Sequence, residues 1–339
     1  MQAGLLTLKP AGLYCAAGDF FIDPLRPVGR AIITHAHADH ARAGHAQVLA
    51  TAETLALMAV RYGENFAGAT QSVAYGETLG VGGVAVSFHP AGHVLGSAQI
   101  QLERGGARTV ISGDYKREAD PTCARFTPLV CDTFISEATF GLPVFRHAKT
   151  AAEIDKLLAS QRLFPERTHL VGVYALGKAQ RVIALLRAAG YDRPVYIHGA
   201  LEKITAYYQE AGIALGDVRR ATGAGDLPGE IVLCPPTALN DLWSRKFAEP
   251  LTAFASGWMR VRAHARQRGI ELPLVISDHA DWDGLCATIQ ETNCETLLVT
   301  HGEPDALVHC FRQRGLNAEP LHILGYGDEE ADAPPETGA

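Results

Sequence analysis

The segment that most constrains this chain is residues 35–40, with the sequence His-Ala-His-Ala-Asp-His, which directly follows an apolar run at residues 31–34. Imidazole and carboxylate groups are the ligands that zinc and similar divalent metals prefer. The chain has 14 histidines among 339 residues, so three of them within six positions is improbable by chance. One ion cannot easily take four ligands from so short a turn. The segment therefore predicts two adjacent cations, with His35 and His37 on one and Asp39 and His40 on the other.

The same arrangement, a short apolar run followed by a ligand-type residue, recurs along the chain. The residues that follow such runs are His93, Asp114, Glu137, His279 and His301. Runs of this length and composition indicate buried strands. Ligands at strand ends converge on one edge of a sheet sandwich, where a rigid scaffold can hold a metal site.

The spacing of residues 35–40 resembles the HxHxDH signature of the metallo-β-lactamase fold, and the other motifs of that fold follow in order. They include an aspartate, Asp23, in residues 20–23 and the segments 90–97 and 111–115, which contain His93 and Asp114. The segments around Glu137, His279 and His301 resemble the motifs that mark the β-CASP nucleases within that superfamily. Together the matches span residues 19 to 303.

The resemblance implies an α/β fold, a metallo-β-lactamase αββα sandwich with an inserted β-CASP-like α/β cap. From about residue 150 the pattern alternates between strands and helices, which indicates a parallel α/β unit. The helices are predicted at 151–162, 178–189 and 201–211, with strands at 170–174 and 194–197. We expect the core at 1–145 and 271–326, the cap at 146–270, and an acidic disordered tail at 327–339.

The resemblance also implies a role for each ligand-type residue. His35, His37 and His93 would hold the first metal, Asp39, His40 and His301 would hold the second, and Asp114 would bridge them. The buried Asp23 would orient the histidine turn. The cofactors expected are two divalent ions, Zn²⁺ first, with Mn²⁺ as an alternative.

The expected catalytic residues are His279, Glu137, Asp39 and Asp114. A phosphodiester that loses its leaving oxygen needs a proton donor, and His279 is the candidate general acid. Glu137 would orient it, as a carboxylate fixes a histidine tautomer. The alternative for His279 is a structural histidine of the core.

Several residues are candidate substrate contacts, namely Ser97, Lys178, Ser256, Gly257, Trp258 and Arg260. Residues 254–258 resemble a Gly-Trp segment of the Snm/Artemis-like nucleases, in which a tryptophan would offer a stacking surface. The alternative is a tight turn beside a core tryptophan. Lys178 follows a predicted strand and opens a helix, a position that suits an anion, but the same segment can simply close the turn.

Charge, cysteine usage and apolar runs indicate the cellular compartment expected for this chain. The net charge is −7, and the tail from residue 327 contributes five carboxylates and no basic residue. The seven cysteines are scattered without a CxxC pair, which suits a reducing cytoplasm and makes a cysteine zinc site improbable. The sequence has neither a signal-peptide pattern nor 18 uninterrupted apolar residues. We therefore expect a cytoplasmic protein without a membrane partner.

As a whole, the chain resembles the bacterial DNA-ligase-associated exonuclease family. That resemblance implies a metal-dependent DNA exonuclease of end processing, with single-stranded or frayed DNA ends, an ATP-dependent ligase and a helicase as partners. The motif around His301 resembles the RNA-processing branch instead, so a β-CASP ribonuclease is the alternative. Two further alternatives are a non-catalytic repair scaffold and, more remotely, a hydrolase of small thioesters or lactams.

Overall fold

The computed structural model describes residues 2–3, 5–222 and 227–322, so the predicted acidic tail at 327–339 lies outside the described residues. The described chain forms two compact units. The first unit combines the chain up to residue 144 with residues 279–322, and the second comprises residues 145–278. The second unit is thus inserted in sequence within the first. The mixed α/β class expected from the sequence is confirmed.

The first unit contains two seven-stranded sheets, and the strands of the first follow one another in chain order. They are β1 to β7, at Gln2–Ala3, Leu6–Lys9, Gly12–Cys15, Phe20–Ile22, Arg30–Ile32, His45–Ala50 and Ala67–Ser72. Strands β1 to β4 pair antiparallel and β4 to β7 pair parallel. The histidine turn therefore follows a central parallel strand, β5.

The second sheet of this unit has the order β20-β19-β12-β11-β10-β9-β8. Its strands, in chain order, are β8 to β12 at Thr78–Val81, Val84–Pro90, Ala98–Arg104, Ala107–Ile111 and Thr133–Ser136, then β19 at Thr296–Val299 and β20 at Asn317–Pro320. Apolar side chains of the two sheets form one buried cluster, with Phe20 and Ile32 from the first and Phe88, Ile100 and Ile135 from the second. Burial of this shared face joins the sheets as a sandwich.

Helices lie on this sandwich. They are α1 at Ala52–Tyr62, α6 at Trp282–Glu291 and α7 at Pro304–Gln313. Leu285 of α6 and Phe311 of α7 share a second buried cluster with Phe134 and Leu297 of the second sheet. These two strand residues alternate with Ile135 and Leu298, which belong to the cluster between the sheets, as side chains on opposite faces of a strand must.

The second unit is a six-stranded parallel sheet with the order β15-β14-β16-β13-β17-β18. Its strands β13 to β18 are His169–Gly172, Val195–Ile197, Val218–Arg220, Ile231–Cys234, Leu251–Ala255 and Leu272–Leu274. Its helices α2 to α5 are Thr150–Leu163, Lys178–Ala188, Glu202–Glu210 and Arg262–Gln267. The central strands are buried throughout, which is typical of a parallel sheet covered on both faces.

The helices predicted between residues 150 and 211 are present, but the prediction for a later segment was wrong in one respect. A strand at 274–277 was expected to return to the first unit. Instead β18, Leu272–Leu274, pairs with β17 of the second unit, and the division between units falls after residue 278 rather than 270. An apolar run predicts a buried strand but does not specify which sheet it joins.

Among the described residues, none of the helices is long and apolar enough to cross a membrane.

Candidate metal centre

The histidine turn is held in place by Asp23, which lies after β4. One carboxylate oxygen accepts the backbone N–H of Thr34 at 2.8 Å. The other accepts the hydroxyl of Thr34 at 2.6 Å and lies 2.8 Å from Nδ1 of His40. Asp23 has a positive φ of 42°, a strained conformation for a residue with a side chain. The sequence predicted that Asp23 would orient this turn, and the structure places it in contact with both ends of it.

Thr34 fixes the tautomer of His35, a role that the sequence analysis did not predict. Its hydroxyl proton is donated to Asp23, so the hydroxyl oxygen accepts from His35 Nδ1, which lies 3.0 Å away. The Nδ1–H tautomer leaves a lone pair on Nε2 of His35. The sequence feature that could have indicated this role is a threonine between the end of a strand and the first histidine.

Strand direction brings the remaining residues to the same sheet edge. Strands β11, β12 and β19 run parallel, and Asp114, Glu137 and His301 each follow the end of one of them. Strand β9 runs antiparallel to β10, which in turn runs antiparallel to β11. The end of β9, which leads to His93, therefore lies at the same edge. These strand directions explain why ligand-type residues from distant segments converge, as the sequence predicted.

A first group of possible metal ligands contains His35, His37, His93 and Asp114. One ligand atom from each lies within 4.8 Å of those of the others, and all four residues are buried. Nε2 of His93 is 3.0 Å from Nδ1 of His37, and Nε2 of His35 is 3.5 Å from Asp114. This is the set that the sequence assigned to the first metal, with the bridging aspartate included.

A second group shares Asp114 and adds His40 and His301. Nε2 of His40 lies 3.4 Å from Asp114 and 3.6 Å from Asp39. Asp39 is therefore adjacent to this group through His40 but is outside the cluster of mutually close atoms. His301 has a positive φ of 57°, so its backbone too is held in an uncommon conformation.

Burial and the charges of neighbouring residues shift the pKa values of the histidines and the aspartate of the site. Burial, with the neighbouring His40, lowers the pKa of His35 well below its usual value. Burial opposes a charge on His40, yet Asp114 and Asp39 outweigh it and raise its pKa well above the usual value. Burial likewise opposes a charge on Asp114, but His40 holds the pKa of that carboxyl well below its usual range. Burial lowers the pKa of His301 to about 4.

The donor set fits divalent ions. Nε2 of His35 and Oδ1 of Asp114 are buried, and no hydrogen bond of the described structure satisfies either atom. Buried polar atoms without partners are costly, and a cation would satisfy both. Asp114 also lines a cavity of about 20 Å³, together with His40 and His301. Imidazole and carboxylate ligands suit zinc.

His279, which follows the second unit in sequence, pairs with Glu137. Its Nδ1 lies 2.9 Å from one oxygen of Glu137, while the other oxygen accepts the backbone N–H of Tyr115 at 2.7 Å. Glu137 is almost fully buried, and the His279 side chain retains 11 % of its exposed area. A carboxylate acceptor at Nδ1 fixes the tautomer and directs Nε2 for proton transfer.

Ser97 shapes the loop that carries His93. Its hydroxyl accepts the backbone N–H groups of His93 and Val94 at 3.1 and 3.2 Å, and the residue is 1 % exposed. These contacts favour a positioning role for Ser97 over the substrate contact that the sequence suggested.

The candidate substrate residues of the second unit are mostly buried. Lys178 has no exposed surface, and its ammonium group binds Asp278 at 2.7 Å and the carbonyl of Ile276 at 3.1 Å, which favours a structural role. Ser256 caps the 3₁₀-helix Gly257–Arg260 by accepting the N–H of Trp258.

Trp258 is half-buried and packs edge-to-face on Phe145, with ring centroids 5.0 Å apart. This packing agrees with the alternative of a tight turn beside a core tryptophan. Arg260 is exposed, and its Nε donates to the carbonyl of Arg146.

Comparisons with known proteins agree with the motifs. The chain is 30% identical over 315 residues to a probable DNA ligase of Opitutus terrae, which covers 91% of this chain and 30% of that protein. It is 32% identical over 152 residues to the endoribonuclease YSH1 of Yarrowia lipolytica, which covers 42% of this chain and 17% of that protein. The chain therefore spans less than a third of the length of these relatives. No family model matches it.

Among solved structures, a protein of unknown function from Enterococcus faecalis V583 aligns with 88% of this chain and 80% of its own, with a TM-score of 0.54 and 15% identity. At that identity the likeness concerns the fold alone. The ordered motifs, the sandwich that carries them and the two relatives point to one family. The chain is similar to the metallo-β-lactamase-fold β-CASP nucleases in the order of its sequence motifs, and its relatives include endoribonucleases.

Proposed function

We propose that this chain is a two-metal phosphodiesterase that acts as a DNA exonuclease in the processing of DNA ends. The observation that carries the proposal is the position of Asp114, which belongs to both groups of candidate ligands. A shared carboxylate is what two closely spaced ions require. His35, His37 and His93 would hold one ion, and His40 and His301, with the neighbouring Asp39, would hold the other.

Two divalent ions in such a site lower the pKa of a water ligand and offset the charge of a phosphodiester. The protein's own residues then have separable tasks. Asp23 and Thr34 fix the orientation of His40 and His35 through the hydrogen bonds described above. Burial keeps His301 neutral at physiological pH, so its imidazole is ready to act as a ligand without first losing a proton.

His279 is the group proposed to protonate the leaving oxygen. Its Nδ1 faces Glu137, and the hydrogen bond between them leaves Nε2 as the atom that gives up the proton. Glu137 is itself fixed by the N–H of Tyr115. The His279 side chain keeps 11 % of its exposed area, which would leave it open to a substrate.

DNA is the proposed substrate because a match over 91% of the chain is to a probable DNA ligase. A homologous segment within a ligase also supports the proposal that this chain works alongside a ligase and, by the family resemblance, a helicase. Zinc is the proposed ion, with manganese as an active substitute.

The second unit, residues 145–278, is proposed to be the β-CASP-like cap that binds the nucleic acid strand. The segment that follows Trp258 presents four exposed arginines, at 260, 262, 266 and 268. Exposed arginines of this density suit phosphate contacts, which release counterions and make binding weaken with salt. Single-stranded or frayed ends, preferably with a 5′-phosphate, are the proposed form of the substrate.

A β-CASP ribonuclease is the second candidate, and the similarity to the endoribonuclease YSH1 favours it. The match covers less than half of this chain, whereas the ligase match covers nearly all of it. A non-catalytic scaffold is the remaining alternative, and the two clusters of ligand-type residues that share Asp114 argue against it.

The deciding experiment compares matched substrates. End-labelled DNA and RNA of one sequence, single- and double-stranded, linear and circular, would be incubated with zinc- or manganese-loaded protein, and the first products resolved on gels. We expect fastest cleavage of linear single-stranded DNA, with mononucleotides or short products first. Rapid cutting of circles would establish an endonuclease, faster turnover of RNA would favour the ribonuclease, and no cleavage of any substrate would favour the scaffold.

A further inference from the structure

Helix α1 contacts both loops that supply the histidines of the first ligand group. It begins after Thr51, whose hydroxyl accepts the N–H of Thr54, and ends at Gly63. Its first turn touches the loop that carries His93, and its last turn touches the loop that carries His35 and His37. None of the sequence motifs includes this helix.

At the beginning of α1, two threonine hydroxyls converge on one carbonyl. The oxygens of Thr51 and Thr54 lie 2.7 and 3.1 Å from the carbonyl oxygen of Gly96, and both threonines are buried. Gly96 has a φ of +81°, and a Cβ there would lie 2.8 Å from the Thr51 hydroxyl. Only glycine permits this approach, which ties the His93 loop to the helix.

At the end of α1, two side chains bind the histidine turn from outside. A guanidinium nitrogen of Arg61 donates to the carbonyl of Ala36, the residue between His35 and His37. The hydroxyl of Tyr62 donates to the carbonyl of Ala41 at 2.8 Å. A guanidinium donor makes the first bond charge-assisted and hence stronger than a neutral one.

We propose that α1 is a positioning helix for the metal centre, with Arg61, Thr51 and Thr54 fixing the spacing between the His37 and His93 loops. The two loops are far apart in sequence, yet Nε2 of His93 and Nδ1 of His37 lie 3.0 Å apart. The two loops follow strands of different sheets, β5 and β9, so strand pairing does not set the distance between them. The proposal rests on the metal site of the proposed function. Loss of such outer contacts typically lowers metal affinity or activity about 10–100-fold.

The test measures the zinc affinity of the full chain by chelator competition after metal removal, together with the thermal midpoint of the metal-free protein. Arg61→Met removes the guanidinium and keeps an unbranched stem, and Arg61→Lys restores a cation that can reach the same carbonyl. Thr54→Val removes one hydroxyl at constant shape and leaves Thr51 as the helix cap. Arg104→Met, at the exposed last residue of β10, is the matched control.

We expect Arg61→Met and Thr54→Val each to weaken zinc binding about 10-fold or more, with metal-free midpoints equal to that of Arg104→Met and partial recovery in Arg61→Lys. Unchanged zinc affinity in both variants would overturn the proposal. So would a loss of affinity that follows a fall in the metal-free midpoint, since α1 would then be a general stability element. A wild-type chain that binds zinc but cleaves neither DNA nor RNA would refute the proposed function and leave the role of α1 intact.

Discussion

A buried polar cluster in the first unit and a buried ion pair in the second unit differ in how their charges are compensated. In the first unit, Nε2 of His35 and Oδ1 of Asp114 are buried without a hydrogen bond, within a cluster of imidazoles and a carboxylate. In the second unit, the buried ammonium of Lys178 is matched by Asp278 and by a backbone carbonyl. A buried charge must be compensated. In the second unit the chain itself supplies the compensation, whereas in the first unit the proposed metal ions would supply it.

Removal of the shared carboxylate should have the largest effect. Asp114→Ala removes a member that both ligand groups share. Metal content should therefore fall below the two equivalents or so expected of the wild-type chain, and nuclease activity should fall to background with it. Metal analysis of gently purified protein, beside rate measurements, checks this. Asp192→Ala, an exposed aspartate of the second unit, is the control. If Asp114→Ala still held two equivalents of metal, the aspartate would not be a shared ligand.

Loss of His279 should separate chemistry from metal binding. His279→Ala should keep near-native metal content yet lose roughly 10²–10⁴-fold in rate, the scale of general acid–base catalysis. Glu137→Gln should reduce the rate less, since it only weakens the orientation of the imidazole. The exposed His309 of α7 provides the control variant, His309→Ala. A parallel fall of metal and rate in His279→Ala would assign His279 to the ligands instead.

In the second unit, breaking the buried ion pair between Lys178 and Asp278 should reduce stability. Lys178→Met leaves Asp278 buried without its ammonium partner, which typically costs about 3–5 kcal/mol. Denaturant unfolding of metal-free protein measures this cost. The double variant Lys178→Met, Asp278→Asn should recover part of it, because the orphaned charge is removed. A double variant no more stable than Lys178→Met would show that the buried charge is not the cause.

An exposed ion pair of the same unit should have the smallest effect and a clear pH dependence. Arg167 binds both oxygens of Glu271 at 2.9 and 3.0 Å and lowers the pKa of that carboxyl. The folded protein therefore binds this proton less readily than the unfolded chain. The stabilisation is present above the usual glutamate pKa of about 4.3 and is lost as the pH falls through the lowered folded pKa.

Glu271→Gln should thus cost about 0.2–1 kcal/mol at pH 7, as is usual for exposed pairs, and progressively less as the pH falls through the lowered pKa of the folded protein. Unfolding free energies across this range, with exposed Glu210→Gln as control, measure the difference. A cost that stayed constant with pH would point to lost packing and not to the ion pair.

Helices with strong local signals were predictable in this chain. The apolar spacing and the glycine at 190 predicted a helix at 178–189, and α3 spans Lys178–Ala188. The run at residues 274–276 was placed in the wrong unit, because pairing partners lie far away in sequence. Lys178 illustrates the same limit for function. A lysine at a strand-to-helix turn resembles an anion site, and its burial against Asp278 follows only from the packing of distant segments.

The sequence by itself indicated which residues could form a metal site. The ligand-type residues and their order are local facts, and imidazoles and carboxylates are typical metal ligands. Tertiary structure decided the rest. Parallel pairing of β11, β12 and β19 brought Asp114, Glu137 and His301 to one edge, and contacts such as those of Thr34 and Arg61 fixed the orientation of the ligand loops. Hydrogen bonds between distant segments leave no periodic signal in the sequence, because each depends on register and distance rather than on the spacing of residues along the chain.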